Sequence, residues 1–315
     1  METLKKIFAI REFTIFLVLI AMMLFLGITA PGFLSVDNLF SIILNVTFIG
    51  VMACGMTMVI ITGGIDLSVG SILGLSGVVM GLLMHDLGLN PVLSILVGLL
   101  VGMAAGLTNG LLITKVKIPP FISTLGMLSI ARGLAYVLSK GWPISPFPKS
   151  FTSQGQGMVG PVPVPVLYFA GVAIIAYIFL RYTIVGRRIY ATGGNLEAAK
   201  LVGIKTDRIL IMVYVINGLL AAFAGFLMTA WLGVAQANAG QGYELDVIAA
   251  TVIGGTSLQG GEGTILGTVI GAIIMGVLRN GLILLGVSSF WQQVAIGAVI
   301  IIAVAFDQLR GGKEG

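Results

Sequence analysis

Apolar runs of about 18 or more residues recur from one end of this sequence to the other, with short basic segments between them. Each run is long enough to cross roughly 30 Å of hydrocarbon as a helix, the element that satisfies its own backbone where no water can. Hydrophobic residues make up 57% of the chain and Asp, Glu, Lys and Arg together only 9%, against about 25% charged residues in a soluble domain. The fold class expected is all-α: a polytopic membrane protein of about ten transmembrane helices in the lipid bilayer, forming a single transmembrane domain over 1–315. The net charge of +5 is read as an orientation signal in the loops, and no nucleic-acid partner is expected.

The ten expected spans run over 13–30, 38–61, 68–84, 91–113, 119–139, 164–182, 209–232, 246–257, 264–285 and 289–306. The eighth is too short to cross alone and is expected to be a half-helix or to take in part of the glycine-rich segment after it. The first run follows Lys5, Lys6 and Arg11. A bulky Ile28 at the possible cleavage point, with Pro31 beyond it, makes it an expected uncleaved helix. With both termini cytoplasmic, the inner segments collect Lys5, Lys6, Arg11, Lys115, Lys117, Arg181, Arg187, Arg188, Lys200, Lys205, Arg208, Arg310 and Lys313. The outer segments hold only Lys140 and Lys149, and an odd number of spans would break that asymmetry. Trp142, Trp231 and Trp291 fall at the outer ends of spans, where amphipathic rings favour the interface. The outer segment 141–165, rich in proline and glycine, is expected to be an extended or partly re-entrant cap.

Two glycine-rich breaks interrupt the apolar pattern, one between the second and third spans and one between the eighth and ninth. They are Gly63-Gly64-Ile65-Asp66-Leu67-Ser68-Val69-Gly70 and Gly254-Gly255-Thr256-Ser257-Leu258-Gln259-Gly260-Gly261. Non-helical backbone at membrane depth is tolerated only where protein buries it or where it lines a wet cavity. Paired breaks in two halves also mark a central pathway in many transporters. The simpler alternative is a pair of tight turns capped by Asp66 or Ser68, and by Thr256 or Ser257. Gly98, Gly102, Gly106 and Gly110 form a smooth stripe on the fourth span, read either as close helix packing or as a sliding surface.

Arg132 and Arg279 fall within spans, where a central Arg costs roughly 2.5–3.5 kcal/mol unless it pairs, snorkels or meets water. Glu244 and Asp246 are the expected partners. Asn45, Asn109, Asn217 and Asn280 either bond across helices or touch a substrate. With Asp66, Ser68 and Arg132, the residues Asn109, Asn217, Glu244 and Asp246 are the candidates for a polar pathway through the membrane. The lone Cys54 and lone His85 supply no disulfide and no typical zinc set, so neither a metal nor a cofactor is expected.

The segment 184–208 is expected to be a cytoplasmic loop with a chemistry of its own. Asn195 is placed to cap a helix over Leu196-Glu197-Ala198-Ala199-Lys200-Leu201-Val202. Glu197 sits in its first turn, where the dipole favours an anion, and Gly203 is placed to end it. So short a helix buries little alone and makes sense as a knob for another protein. Glu197-Ala198-Ala199 followed by Gly203 resembles the coupling loop of ABC importer permeases. The surrounding chain resembles one subfamily, the ribose, xylose and galactose-type sugar permeases. That resemblance is carried by Gly64-Ile65-Asp66-Leu67-Ser68-Val69-Gly70-Ser71, Pro120-Phe121-Ile122-Ser123-Thr124-Leu125-Gly126-Met127 and Ala131-Arg132-Gly133. It continues through Gly242-Tyr243-Glu244-Leu245-Asp246, Gly254-Gly255-Thr256-Ser257-Leu258 and Leu285-Gly286-Val287-Ser288-Ser289-Phe290-Trp291-Gln292. It departs at Arg279, where relatives often carry a neutral residue.

The resemblance implies a permease domain in a bacterial inner membrane and a second permease subunit, either the same chain or a related one. It also implies two cytoplasmic ABC ATPase subunits and an extracytoplasmic sugar-binding protein. Asn195, Glu197, Ala198, Ala199 and Gly203 would then seat the ATPase. The chain itself carries no Walker motif, so nucleotide hydrolysis is expected on another chain and this one is not expected to be an enzyme. The alternatives are an ion-coupled secondary transporter acting without an ATPase, which the lack of buried carboxylates at successive depths disfavours, and a passive channel or scaffold.

Overall fold

The computed structural model describes residues 11–311, so Lys5, Lys6 and Lys313 lie outside the described residues. The helices in chain order are α1 (Arg11–Thr29), α2 (Val36–Ile61), α3 (Val69–His85), α4 (Pro91–Leu111), α5 (Pro120–Ser139), α6 (Lys149–Gln156) and α7 (Val164–Tyr182). They continue as α8 (Ile184–Gly194), α9 (Leu196–Leu201), α10 (Thr206–Leu232), α11 (Tyr243–Ile253), α12 (Ile265–Leu284) and α13 (Ser289–Gly311). A π turn, Leu112–Val116, extends α4, and a small antiparallel hairpin pairs β1 (Met158–Val159) with β2 (Val162–Pro163).

Among the described residues, seven helices are long and apolar enough to cross a membrane: α1, α2, α4 with its π turn, α5, α7, α10 and α12. The apolar α3 has 17 residues, and the apolar part of α13 is Ser289–Ile302. The eighth expected span ends early. Its helix, α11, has 11 residues and rises about 16 Å, half the hydrocarbon thickness.

Local chemistry sets the helix ends. The Ser35 hydroxyl accepts from the Asn38 N–H at the start of α2. Asn90 accepts from the Val92 N–H at 2.8 Å, just ahead of Pro91 in the first turn of α4. Proline suits that turn because its missing N–H has no helical partner there. The cap of α12 is Thr264, whose hydroxyl accepts from the Gly267 N–H at 3.1 Å. Thr256 lies buried well before it, so the second break is longer than the turn expected from a Thr256 or Ser257 cap.

The longest helix, α10, is the hub and packs against α2, α3 and α4. Its small residues Gly218, Ala221, Ala222, Ala224 and Gly225 are buried. Across from Gly218 and Ala222 lies the α4 stripe. A Cβ on Gly102 would overlap the Gly218 carbonyl, one on Gly106 would overlap the Tyr214 carbonyl, and one on Gly110 would stand 2.8 Å from the Ile211 Cα. The stripe is therefore a surface of direct backbone contact, the packing that membrane helices use where no hydrophobic effect drives them together.

The segment 141–163 is a structured cap. Ile144 bridges to Ala235, and Phe151, fully buried on α6, stacks edge-on with Phe147 at 5.4 Å and Phe226 at 5.6 Å. The Gln156 amide donates to the Trp231 carbonyl at 2.9 Å, fastening α6 over the end of α10.

Candidate functional site

The first break is built around a carboxylate. After α2 ends, the chain runs without helix through 62–68, and Asp66 is fully buried there. One oxygen accepts from the Ser68 N–H at 2.9 Å and the Ser68 hydroxyl at 2.5 Å. The other accepts from the Asn217 amide of α10 at 2.9 Å. Asn109 of α4 donates to the Ser68 oxygen at 3.1 Å, and Ser123 of α5 donates to the Asn109 carbonyl at 3.3 Å. Thr124 reaches the Ile65 carbonyl at 3.3 Å. Asp66, Ser68, Asn109 and Asn217 are thus brought into one network tying the break to α4, α5 and α10, and none of the four is exposed. Such a network offsets the cost of burying a carboxylate and polar backbone away from water. Asp66, not the Ser68 side chain, takes the free N–H at the start of α3. Gly64 sits against Tyr214, where a Cβ would come within 2.5 Å of the phenol oxygen. Ser123 also joins this network; it stands in the Pro120 to Met127 segment of the resemblance but is not among the pathway candidates.

Arg132, Glu244 and Asp246 stand apart from that network. Arg132 on α5 donates to the carbonyls of Ala237 and Ala239 at 2.5 and 2.8 Å, in the loop leading to α11. Glu244, in the first turn of α11, is the nearby counter-charge. Gly74 of α3 leaves room for this arrangement, since a Cβ there would stand 2.9 Å from both the guanidinium and the Ala239 carbonyl. Asp246 instead pairs with Arg279 of α12 at 2.5 Å, with the Asp246 side chain 1% exposed and that of Arg279 33%. The Arg279 guanidinium also lies over the Tyr243 ring, 6.0 Å from its centre. Of the two expected acid partners, one takes Arg279 while Arg132 is held mainly by backbone oxygens. A loop carbonyl has no letter in the sequence, so that partner was not legible. Asn280 makes reciprocal amide bonds with Asn38 at 3.0 and 2.7 Å, fastening α12 to α2.

The loop 184–208 forms a helical hairpin. Thr183 caps α8 by accepting from the Gly186 N–H at 3.0 Å. Asn195 caps α9 by accepting from the Ala198 N–H at 2.9 Å. Glu197 pairs with Lys200 at 2.7 Å within the exposed face. Ala199 is buried, and its carbonyl accepts from the Ile204 N–H at 3.0 Å as the chain turns back. That turn needs Gly203, whose φ of 83° is a region side chains disfavour. The tip presents Leu201 and Val202 at 88% and 77% exposure. At the base, the Tyr190 hydroxyl donates to the Gly263 carbonyl at 2.7 Å. Burial raises its pKa above the usual tyrosine value, outweighing the lowering by Arg181, so it stays a neutral donor.

Comparison with known proteins gives a consistent result. The family model described as "Branched-chain amino acid transport system / permease component" matches residues 38–304. The chain is 49% identical over 298 residues to the ribose import permease protein RbsC of Bacillus subtilis, covering 94% of this chain and 92% of that one. It is 43% identical over 302 residues to the ribose import permease protein RbsC of Escherichia coli K12, covering 93% of each. It is 37% identical over 323 residues to the galactose/methyl galactoside import permease protein MglC of the same organism, covering 97% and 96%. No solved structure matches the chain.

Proposed function

The chain belongs to this family of transport-system permease components, and on that premise we propose that it is the membrane-spanning subunit of an ATP-driven monosaccharide importer, with ribose as the leading substrate. The observation that carries the coupling part is the α8–α9 hairpin. A capped helix on a buried Ala199 holds two large apolar side chains, Leu201 and Val202, out at its tip, where both are mostly exposed among the described residues. In this reading Asn195, Glu197, Ala198, Ala199 and Gly203 shape a knob that seats in an ABC ATPase on a separate chain. ATP binding there shifts the population between two access states of the helices.

The rest of the machine follows from the same reading. The ten apolar stretches alternate across a bacterial inner membrane with both termini and the α8–α9 knob on the cytoplasmic side, as the loop cations favour. An extracytoplasmic binding protein delivers the sugar to the opposite face, and a second permease subunit completes the pathway. Among the polar candidates, Arg132 and Glu244 are only partly buried and are the ones proposed to meet a solute. Asp66, Ser68, Asn109 and Asn217 hold the wall behind it. Asp246 supports Glu244 by fixing α11 to α12 through Arg279.

Reconstitution tests this. Vesicles carrying this chain together with the ATPase and binding protein of its transport system are expected to accumulate ribose only when ATP is supplied. Gradient-driven uptake by the purified chain alone would favour a secondary carrier instead.

A further inference from the structure

The hairpin base and the two breaks meet at one point, and they meet backbone to backbone. Gly193, at the end of α8, lies so close to the Ile61 carbonyl that a Cβ would overlap it, and the same Cβ would stand 2.8 Å from the Gly261 nitrogen. The Gly261 N–H donates to that Ile61 carbonyl at 2.8 Å. A Cβ on Gly260 would come within 2.8 Å of the Gly193 carbonyl and 3.2 Å of the Gly63 nitrogen. Gly260 and Gly261 both have positive φ, 87° and 78°. Ile61 is the last residue of α2, at the mouth of the first break, while Gly260 and Gly261 belong to the second. Tyr190 adds its bond to the Gly263 carbonyl one turn back along α8.

No side chain separates these three strands of backbone at the point of contact. Close-packed backbone neither compresses nor swaps rotamers, so a displacement of one strand is passed to the others instead of being absorbed. The second break closes on itself, the Ser257 N–H donating to the Glu262 carbonyl at 3.1 Å. The first leads within a few residues to the Asp66 network and its ties to α4, α5 and α10.

We propose that Gly193, Gly260 and Gly261, with Tyr190, are positioning residues for transport: they lock the α8–α9 knob onto both helix breaks, so that one push on the knob shifts the inner ends of α2 and α12 together. This rests on the importer reading above.

The test is ribose taken up per ATP hydrolysed, measured in vesicles with the complete transporter. Gly193→Ala wedges the junction apart, and Tyr190→Phe keeps the ring but removes the bond to Gly263. Both are expected to keep ATPase association while uptake per ATP falls, by about tenfold for Gly193→Ala. Gly194→Ala, at an exposed neighbour with nothing within 4 Å of the added Cβ, is expected to match wild type. Wild-type coupling in Tyr190→Phe overturns the proposal, even if Gly193→Ala fails to assemble. So does wild-type coupling in an assembled Gly193→Ala, or an equal loss in Gly194→Ala. Failure of the wild-type complex to import at all would strike the importer reading, not the junction.

Discussion

Asp66 shows how much a single side chain carries here. Three donors, two from Ser68 and one from Asn217, converge on its fully buried carboxylate. Removing it leaves those donors buried and unpaired, so Asp66→Ala is expected to destabilise the protein by about 3 kcal/mol or more. A thermal midpoint in detergent checks this, and the drop should exceed that of Asn109→Ala. Asp246 and Arg279 form the second test at this scale. Leaving a buried charge without its partner costs more than removing both, so Arg279→Gln alone is expected to lower the midpoint further than Arg279→Gln with Asp246→Asn. The non-additivity expected is about 1–3 kcal/mol. Sequence reasoning singled out Asp66, Ser68, Asn109 and Asn217 as pathway candidates because polar letters stand out in an apolar text. It proposed both acids for the two arginines but did not find the carbonyls of Ala237 and Ala239, since backbone oxygens are the same at every position.

At the scale of elements, hydrophobic length located most helices, because backbone satisfaction in lipid leaves few alternatives. The short α11 and the break after it were also legible, as the glycines interrupt the apolar pattern and no helix of 11 residues spans a bilayer. The cap was not. Prolines and glycines in 141–165 pointed to an extended or partly re-entrant cap, whereas Phe147 and Phe151 pack α6 down onto Phe226. Tertiary contact there outweighed local composition. The α4–α10 contact gives the prediction at this scale. Gly102→Leu drives a side chain into the Gly218 carbonyl and Ala222, whereas a Cβ on Gly126 of α5 meets nothing within 4 Å. Gly102→Leu is expected to cost about 1–3 kcal/mol or to prevent folding, while Gly126→Leu should leave the thermal midpoint of the chain nearly unchanged.

In the proposed function the molecule is a helical membrane body gripped from one end. The knob, the two breaks and the foot of α12 lie together there, and the Glu12 carboxylate accepts from the Thr264 hydroxyl at 3.0 Å to hold α1 to the same end. Orientation is testable by labelling, because the lone Cys54 is fully buried and supplies little background. An impermeant thiol reagent is expected to label Val202→Cys only in inside-out vesicles and Trp142→Cys only in right-side-out ones. Whether the hairpin tip seats in an ATPase is tested by placing a photo-crosslinking residue at Leu201 in living cells and identifying by mass spectrometry what it captures. A nucleotide-binding subunit bearing a Walker motif is the predicted product. Capture of lipid alone, or of no ATPase under conditions where the cells import the sugar, would contradict the account.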